Sequence, residues 1–228
     1  MLSPVDHPSP NRGPRRGGVL PDMVVLHYTG MGGLRPALER LCDPTAEVSA
    51  HYLIAADGTC YALVPEPLRA WHAGAGGWGP VTDVNSRSVG IELENPGTRP
   101  FAAPQMAALE RLLEGVMERW RVPPERVIGH ACMAPERKDD PGPRFDWRRL
   151  ARRGLSIWPQ AMAAPAAPDP AAFQRLAARF GYRAAPDDRL LAAFRGRFRP
   201  WTTAGPLDRV DMALLADLSH RWPAAGGD

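Results

Sequence analysis

Between Pro159 and Pro170 the chain reads PQAMAAPAAPDP, four prolines in twelve residues with Asp169 as the single charge. No regular element runs through such a stretch, because each proline fixes φ and removes an N–H. It reads as a semi-rigid linker, 159–170, between two domains. Residues 1–158 have the size of an ordinary domain, whereas 171–228 would form a module near the lower limit for folding alone. Charge divides at nearly the same place: residues 151–228 carry 11 Arg against 7 acids, and residues 1–150 carry 17 basic against 18 acidic side chains.

In the larger segment, Met23 to Tyr28 (MVVLHY) predicts a buried strand ending at a histidine. HYLIA and CYALV, separated by Ala56-Asp57-Gly58-Thr59, predict a hairpin with an Asp-Gly turn. Ser88 to Glu94 (SVGIELE) predicts a further strand stopped by Asn95-Pro96-Gly97. Leu109, Leu112, Leu113, Val116, Met117 and Trp120 recur at helical spacing, with Pro104 at the start and Pro123-Pro124 beyond the end. A short strand, Val127 to Ile128, again ends in a histidine. This order implies an α/β or α+β fold with a mixed central β-sheet flanked by helices. The smaller segment predicts a three-helix bundle, with faces at Phe173/Leu176/Ala177/Phe180, Leu190/Leu191/Phe194/Phe198 and Val210/Met212/Leu214/Leu215/Leu218. Its Arg195, Arg197 and Arg199 read as a solvated charged face.

Composition excludes several function classes. With 44% hydrophobic and 23% charged residues the chain fits a soluble globular protein, and a net charge of +3 is too even to argue for nucleic acid. No apolar run approaches the ~20 residues of a membrane span. Cys42, Cys60 and Cys132 are too few and too scattered for a disulfide framework or a Cys-type zinc site. Met1 to Asn11 lacks an apolar secretory core, so a cytoplasmic monomer is expected, with the periplasm or cell wall open if the true start lies upstream.

His27 and His130 each sit at the C-terminal end of a predicted strand, where neighbouring strands share a cleft, and Asp140 follows in the Pro/Gly loop KDDPGP. Two imidazoles and one carboxylate would leave a tetrahedral zinc one open position, the catalytic arrangement. Spacing alone leaves open that these histidines are simply packed. Of the 28 basic residues 27 are Arg, which singles out Lys138. Arg replaces Lys at most solvated positions, but not where a compact ammonium is needed.

The words VVLHYTGM, VSAHYLIAADGTCYALVPE, AWHAG, VNSRSVGIELENPG and IGHACMAPERKDDPGPRFDW, in this order, resemble the zinc-dependent N-acetylmuramoyl-L-alanine amidases of the amidase-2 family over about Ser9 to Trp158. That resemblance implies the fold of the peptidoglycan-recognition type, one zinc ion held by His27, His130 and Asp140, and a peptidoglycan or anhydro-muropeptide substrate. It also implies catalytic roles for Glu92 and Lys138. Glu92 would exchange a proton with the attacking water and the leaving amine, and Lys138 would face the developing oxyanion. Glu94, two residues on, shares the face of Glu92 by strand periodicity and competes with it. The AWHAG word borders the family's substrate cleft, which makes His72, Trp71 and Asn85 candidate substrate contacts. Tyr28 and Thr29 follow the first ligand and are candidates for orienting it or lining the cleft, while His51 reads as a packed residue. The helical module resembles the peptidoglycan-binding modules attached to such enzymes. One departure stands out: where the family usually reads S-D-x-A-P-G-R-K, this chain has Ala131-Cys132-Met133-Ala134-Pro135-Glu136-Arg137-Lys138, which predicts altered support of the metal ligands. A non-catalytic peptidoglycan-recognition protein, and a hydrolase using Cys132 beside His130, are the rival readings.

Overall fold

The protein is described by a computed structural model covering residues 3–160 and 167–224. Its strands are β1 (Val5–Asp6), β2 (Arg12–Gly13), β3 (Met23–Tyr28), β4 (Tyr52–Ile54), β5 (Cys60–Ala62), β6 (Arg69–Ala70), β7 (Ser88–Leu93) and β8 (Val127–Gly129). Six of them form one sheet in the order β1-β5-β4-β7-β3-β8, and β2 pairs with β6 in a separate antiparallel ribbon. The central strands β4, β7, β3 and β8 are mutually parallel, while β4 and β5 form the antiparallel hairpin. The mixed central sheet expected from the sequence is thus present. Gly58 of the Asp-Gly turn has φ 91°, a conformation that favours glycine.

The helices are α1 (Leu34–Cys42), α2 (Val84–Arg87), α3 (Ala103–Trp120), α4 (His130–Met133), α5 (Trp147–Arg152), α6 (Pro170–Phe180), α7 (Asp187–Phe198) and α8 (Arg209–Arg221). α3 carries Pro104 in its first turn and ends where Arg121 turns left-handed at φ 53° and donates its N–H to Met117 O. α6 starts on Asp169, whose carboxylate accepts from Ala171 N and Ala172 N, and α8 starts with a capping box between Asp208 and Asp211.

Strand alternation sorts the core onto two faces. Val24, Leu26, Val89, Ile91 and Leu93 point to one side and pack with Leu109, Leu113 and Val116 of α3. Each such fully buried aliphatic side chain contributes about 1.5–3 kcal/mol of transfer free energy. Met23 and Val25 point to the other side and share a cluster with Ile128, Cys132, Met133 and the apolar faces of α6, α7 and α8. The three C-terminal helices form where expected, and their hydrophobic side chains are continuous with that sheet face. Within the Ala/Pro-rich segment, residues 161–166 lie outside the described residues.

The arginine face of α7 requires correction. Arg195 and Arg197 are 1% and 2% exposed, not solvated. Arg195 binds Asp211 (Nη2–Oδ2 2.6 Å) and donates to the carbonyls of Ala204, Gly205 and Pro206. Arg197 reaches the Val127 carbonyl of β8 at 2.8 Å and lies 4.7 Å from the ring centroids of both Trp147 and Phe198. α7 is covered on two sides, by the loop leading into α8 and by the sheet, so residues two apart are buried on opposite sides. Arg199 bonds Asp208 and Asp211.

Candidate active site

Three adjacent parallel strands deliver the central groups. His27 is the fifth residue of β3 and lies opposite Glu92 of β7, so in-register pairing puts both side chains on one face. On the other edge of β3, Leu26 pairs with Gly129 of β8, and His130 follows immediately. The loop carrying Asp140 is tied back by Ala131 N donating to Asp140 O at 2.8 Å. It approaches so closely that a Cβ on Gly129 would stand 2.7 Å from Pro141 Cδ.

The ligating atoms converge. His27 Nδ1 lies 2.9 Å from His130 Nδ1 and 3.0 Å from Asp140 Oδ2, and His130 Nδ1 lies 3.1 Å from the same Oδ2. All three residues are buried. Nε2 of His130 is 2.9 Å from Ala73 O, and since a carbonyl only accepts, the ring proton belongs on Nε2. Nδ1 of His130 therefore turns a lone pair toward a carboxylate oxygen and a second imidazole. Two imidazole nitrogens and one carboxylate oxygen converging in this way could hold a metal ion, and the donor set fits zinc. Burial, and next His130, hold the His27 ring down at about 4, so it stays neutral at pH 7.

A cleft of about 390 Å³ opens beside this cluster. Among its lining residues are Tyr28, Thr29, Trp71, His72, Glu92 and Lys138. Burial, reinforced by Asp140 and opposed by Lys138, pushes the Glu92 carboxyl up to about 8. Its Oε2 is buried and has no hydrogen-bond partner among the described residues. Glu94 is occupied elsewhere, accepting Ala56 N–H at 2.9 Å on the hairpin turn, which separates it from Glu92. Lys138 forms no ion pair among the described residues and contributes its charge to the same cleft. Tyr28 is half-buried there, and burial with Asp140 raises its hydroxyl pKa.

One expectation changes on inspection, and one rival reading loses its residue. Asn85 does not line the cleft: it is buried, and its Oδ1 accepts the backbone N–H groups of His72 (3.0 Å) and Ala73 (2.8 Å), so it supports the loop instead of meeting substrate. Cys132 faces away from the cluster, with Sγ 3.8 Å from Tyr182 Oη and 3.7 Å from Arg197 Nη1. The Ala131-Cys132-Met133 departure accordingly lies where α4 meets the C-terminal helices, and Cys132 is not placed to act with His130. His51 is packed, as expected.

Several cleft residues escaped the sequence reading. Met31, Ala37, Arg40 and Leu41, on α1 and the loop before it, build the opposite wall. The spacing of Leu34, Leu38 and Leu41 was the available signal. Arg137 also lines the cleft and donates Nε to Ala75 O at 2.8 Å, with Nη2 on the carbonyls of Ala73 and Ala75. Arg15, buried nearby, had no local signal at all.

Comparison with known proteins adds the following. Residues 17–143 match the family described as N-acetylmuramoyl-L-alanine amidase. The N-acetylmuramoyl-L-alanine amidase AmiD of Escherichia coli K12 is 37% identical over 231 residues, 88% of this chain and 83% of that protein. The 1,6-anhydro-N-acetylmuramyl-L-alanine amidase AmpD of Citrobacter freundii is 35% identical over 162 residues, 63% of this chain and 86% of that one. The structure of E. coli AmiD in complex with anhydro-N-acetylmuramic acid-L-Ala-D-gamma-Glu-L-Lys superposes with a TM-score of 0.84 at 34% identity, over 93% of this chain and 94% of the other. AmpDh3 of Pseudomonas aeruginosa superposes with a TM-score of 0.81 at 29% identity, over 98% and 100% of the two chains.

Proposed function

Since the chain belongs to the N-acetylmuramoyl-L-alanine amidase family, we propose that it is a zinc-dependent hydrolase of the amide between the lactyl group of N-acetylmuramic acid and the L-Ala of the stem peptide, acting on muropeptides. The observation that carries this reading is the convergence of His27 Nδ1, His130 Nδ1 and Asp140 Oδ2, beside a buried Glu92 oxygen that no group among the described residues satisfies.

His27, His130 and Asp140 would hold the ion. Zinc bound there supplies Lewis acidity, polarising a carbonyl and lowering the pKa of water. Glu92, with its pKa drawn up to about 8, is suited to both halves of a proton transfer near neutrality. It takes a proton from the water that attacks the lactyl carbonyl carbon. It returns that proton to the alanine nitrogen as the C–N bond breaks, leaving a muramyl carboxylate and a free stem peptide. The Lys138 ammonium faces the same cleft and offsets the negative charge that builds on the carbonyl oxygen. Tyr28 and Trp71 offer apolar surface for the sugar or the peptide.

Zinc content and stem-peptide release from anhydro-muropeptides and from intact sacculi test the reading together. Glu92→Gln is expected to keep the zinc and lower turnover by about 10²–10⁴-fold. Undiminished turnover in that variant would remove Glu92 from the mechanism.

A further inference from the structure

The sheet face that carries His27 and Glu92 also carries Ser88 and Gly90, because alternate residues of β7 point the same way. At Gly90 a Cβ would stand 2.3 Å from Cγ of His72, so the glycine makes room for that ring to lie flat on the strand. His72 then connects Ser88 on one side to His27 on the other. We infer that Ser88 and His72 are positioning residues that fix which nitrogen of His27 carries its proton, keeping Nδ1 as a lone-pair donor toward the cation site.

The hydrogens can be assigned one at a time from the Val84 carbonyl. Ser88 Oγ is 2.5 Å from Val84 O. A carbonyl cannot donate, so the single hydroxyl hydrogen lies between those oxygens. The same Oγ is 3.2 Å from His72 Nε2 and, with its hydrogen spent, can only accept there, so His72 carries its proton on Nε2. A neutral imidazole has one N–H, which leaves His72 Nδ1 bare. That atom is 3.0 Å from His27 Nε2, so the His27 proton sits on Nε2 and its Nδ1 is free. Each ring is buried against other imidazoles, with His27 and His72 centroids 5.1 Å apart and His27 and His130 centroids 4.5 Å apart, which disfavours a charged ring.

The adjacent residue does for His130 what His72 does for His27, since Ala73 O accepts the His130 Nε2–H. Two consecutive residues thus present two acceptors, a ring nitrogen and a carbonyl, that hold both imidazoles with their lone pairs inward. Asn85, by accepting both backbone N–H groups of that pair, keeps the bracket in place. Such outer partners typically account for a ten- to hundredfold share of metal affinity.

The inference rests on the metal reading of the cluster, and its test separates the two. Imidazole ¹⁵N shifts of the metal-free wild type are expected to show His27 and His72 both protonated at Nε2. Ser88→Ala should blur that pattern at His72 and His27 and weaken zinc binding about ten- to hundredfold in a chelator competition. His72→Ala should do the same, whereas His72→Asn, whose amide oxygen can stand where Nδ1 stood, should retain the His27 pattern and most of the affinity. If Ser88→Ala fails to fold, the two His72 variants decide. A His27 ring protonated at Nδ1 in the wild type, or equal affinities in His72→Ala and His72→Asn, would overturn the assignment. Expected shifts without any zinc affinity would uphold the hydrogen-bond chain and overturn the metal reading instead.

Discussion

Two buried polar centres adjoin in this molecule, separated by His72, whose ring lies 5.1 Å from His27 and 5.8 Å from His51. In the one around Arg15 and His51 the groups are paired mainly with backbone. Arg15 donates to the carbonyls of Glu66, Asn85, Ser86 and Ser88. His51 accepts Gly90 N–H on Nδ1 at 2.9 Å and donates Nε2–H to Leu68 O at 3.1 Å. In the other, two ring nitrogens and a carboxylate oxygen converge with no hydrogen to share, and Glu92 Oε2 has no partner among the described residues. The first centre is held by backbone, so its return is architectural: it ties the N-terminal segment to the loops behind the sheet. The second keeps its lone pairs at the expense of stability, as a site for an ion must.

The contrast breaks most visibly in the second centre. Asp140→Ala should abolish metal binding and lower hydrolysis by more than about 10³-fold, while metal-free stability changes by less than about 1 kcal/mol, because a carboxylate packed against acceptors contributes little to folding. Metal analysis, turnover and urea unfolding of the same preparation check all three. Arg15→Met should show the reverse. Several buried carbonyls lose their donor, and unfolding should become easier by about 3 kcal/mol while the folded fraction still binds zinc. A loss of zinc without a loss of stability would erase the distinction.

The first centre should also announce itself through pH. Burial, with Arg15 next in weight, lowers the His51 pKa to about 4, against about 6.5 when unfolded. The native state then binds fewer protons than the unfolded chain. His51's share of stability is complete above pH 6.5 and is lost as pH falls toward 4, amounting to about 3 kcal/mol at 1.36 kcal/mol per pH unit. His27, also lowered to about 4, adds a loss of the same sign in the metal-free protein. Urea unfolding across that range should show a shallower slope in His51→Asn. An equal slope would place the proton uptake elsewhere. Smallest of all, Lys138→Arg should keep charge and zinc yet lower turnover by about tenfold or less, since a planar fork cannot replace a point charge at one oxygen. Full activity would make the lone lysine an accident of composition.

Sequence told these centres apart only in part. The dipeptide His-Tyr occurs at residues 27–28 and again at 51–52, each time with apolar residues beside it. What separates them is the partner, and partners lie far along the chain: Asp140 for one, Gly90 and Leu68 for the other. The sheet, the long helix α3 and the three C-terminal helices were legible because periodicity and caps are local signals. The ribbon β2-β6 was not, since two-residue strands carry no period. His72 was visible as part of a motif, but its bonding was not, because that depends on Ser88 sixteen residues later and on Val84. Arg195 and Arg197 misled because charge on a short helix reads as exposure unless the second covering surface is known.

α4 serves two regions at once. Its first residue, His130, turns toward the cluster, while Cys132 and Met133 sit in the same hydrophobic cluster as Phe194 and Phe198 of α7. By mass action an ion retained by the folded state alone stabilises it by RT ln(1 + [ion]/Kd), about 4 kcal/mol at a thousandfold excess over Kd. Because the ligand strands and the C-terminal helices share one core, that stabilisation reaches amides that touch no ligand. Slowed hydrogen exchange in α7 on adding zinc would then report occupancy from the far side of α4.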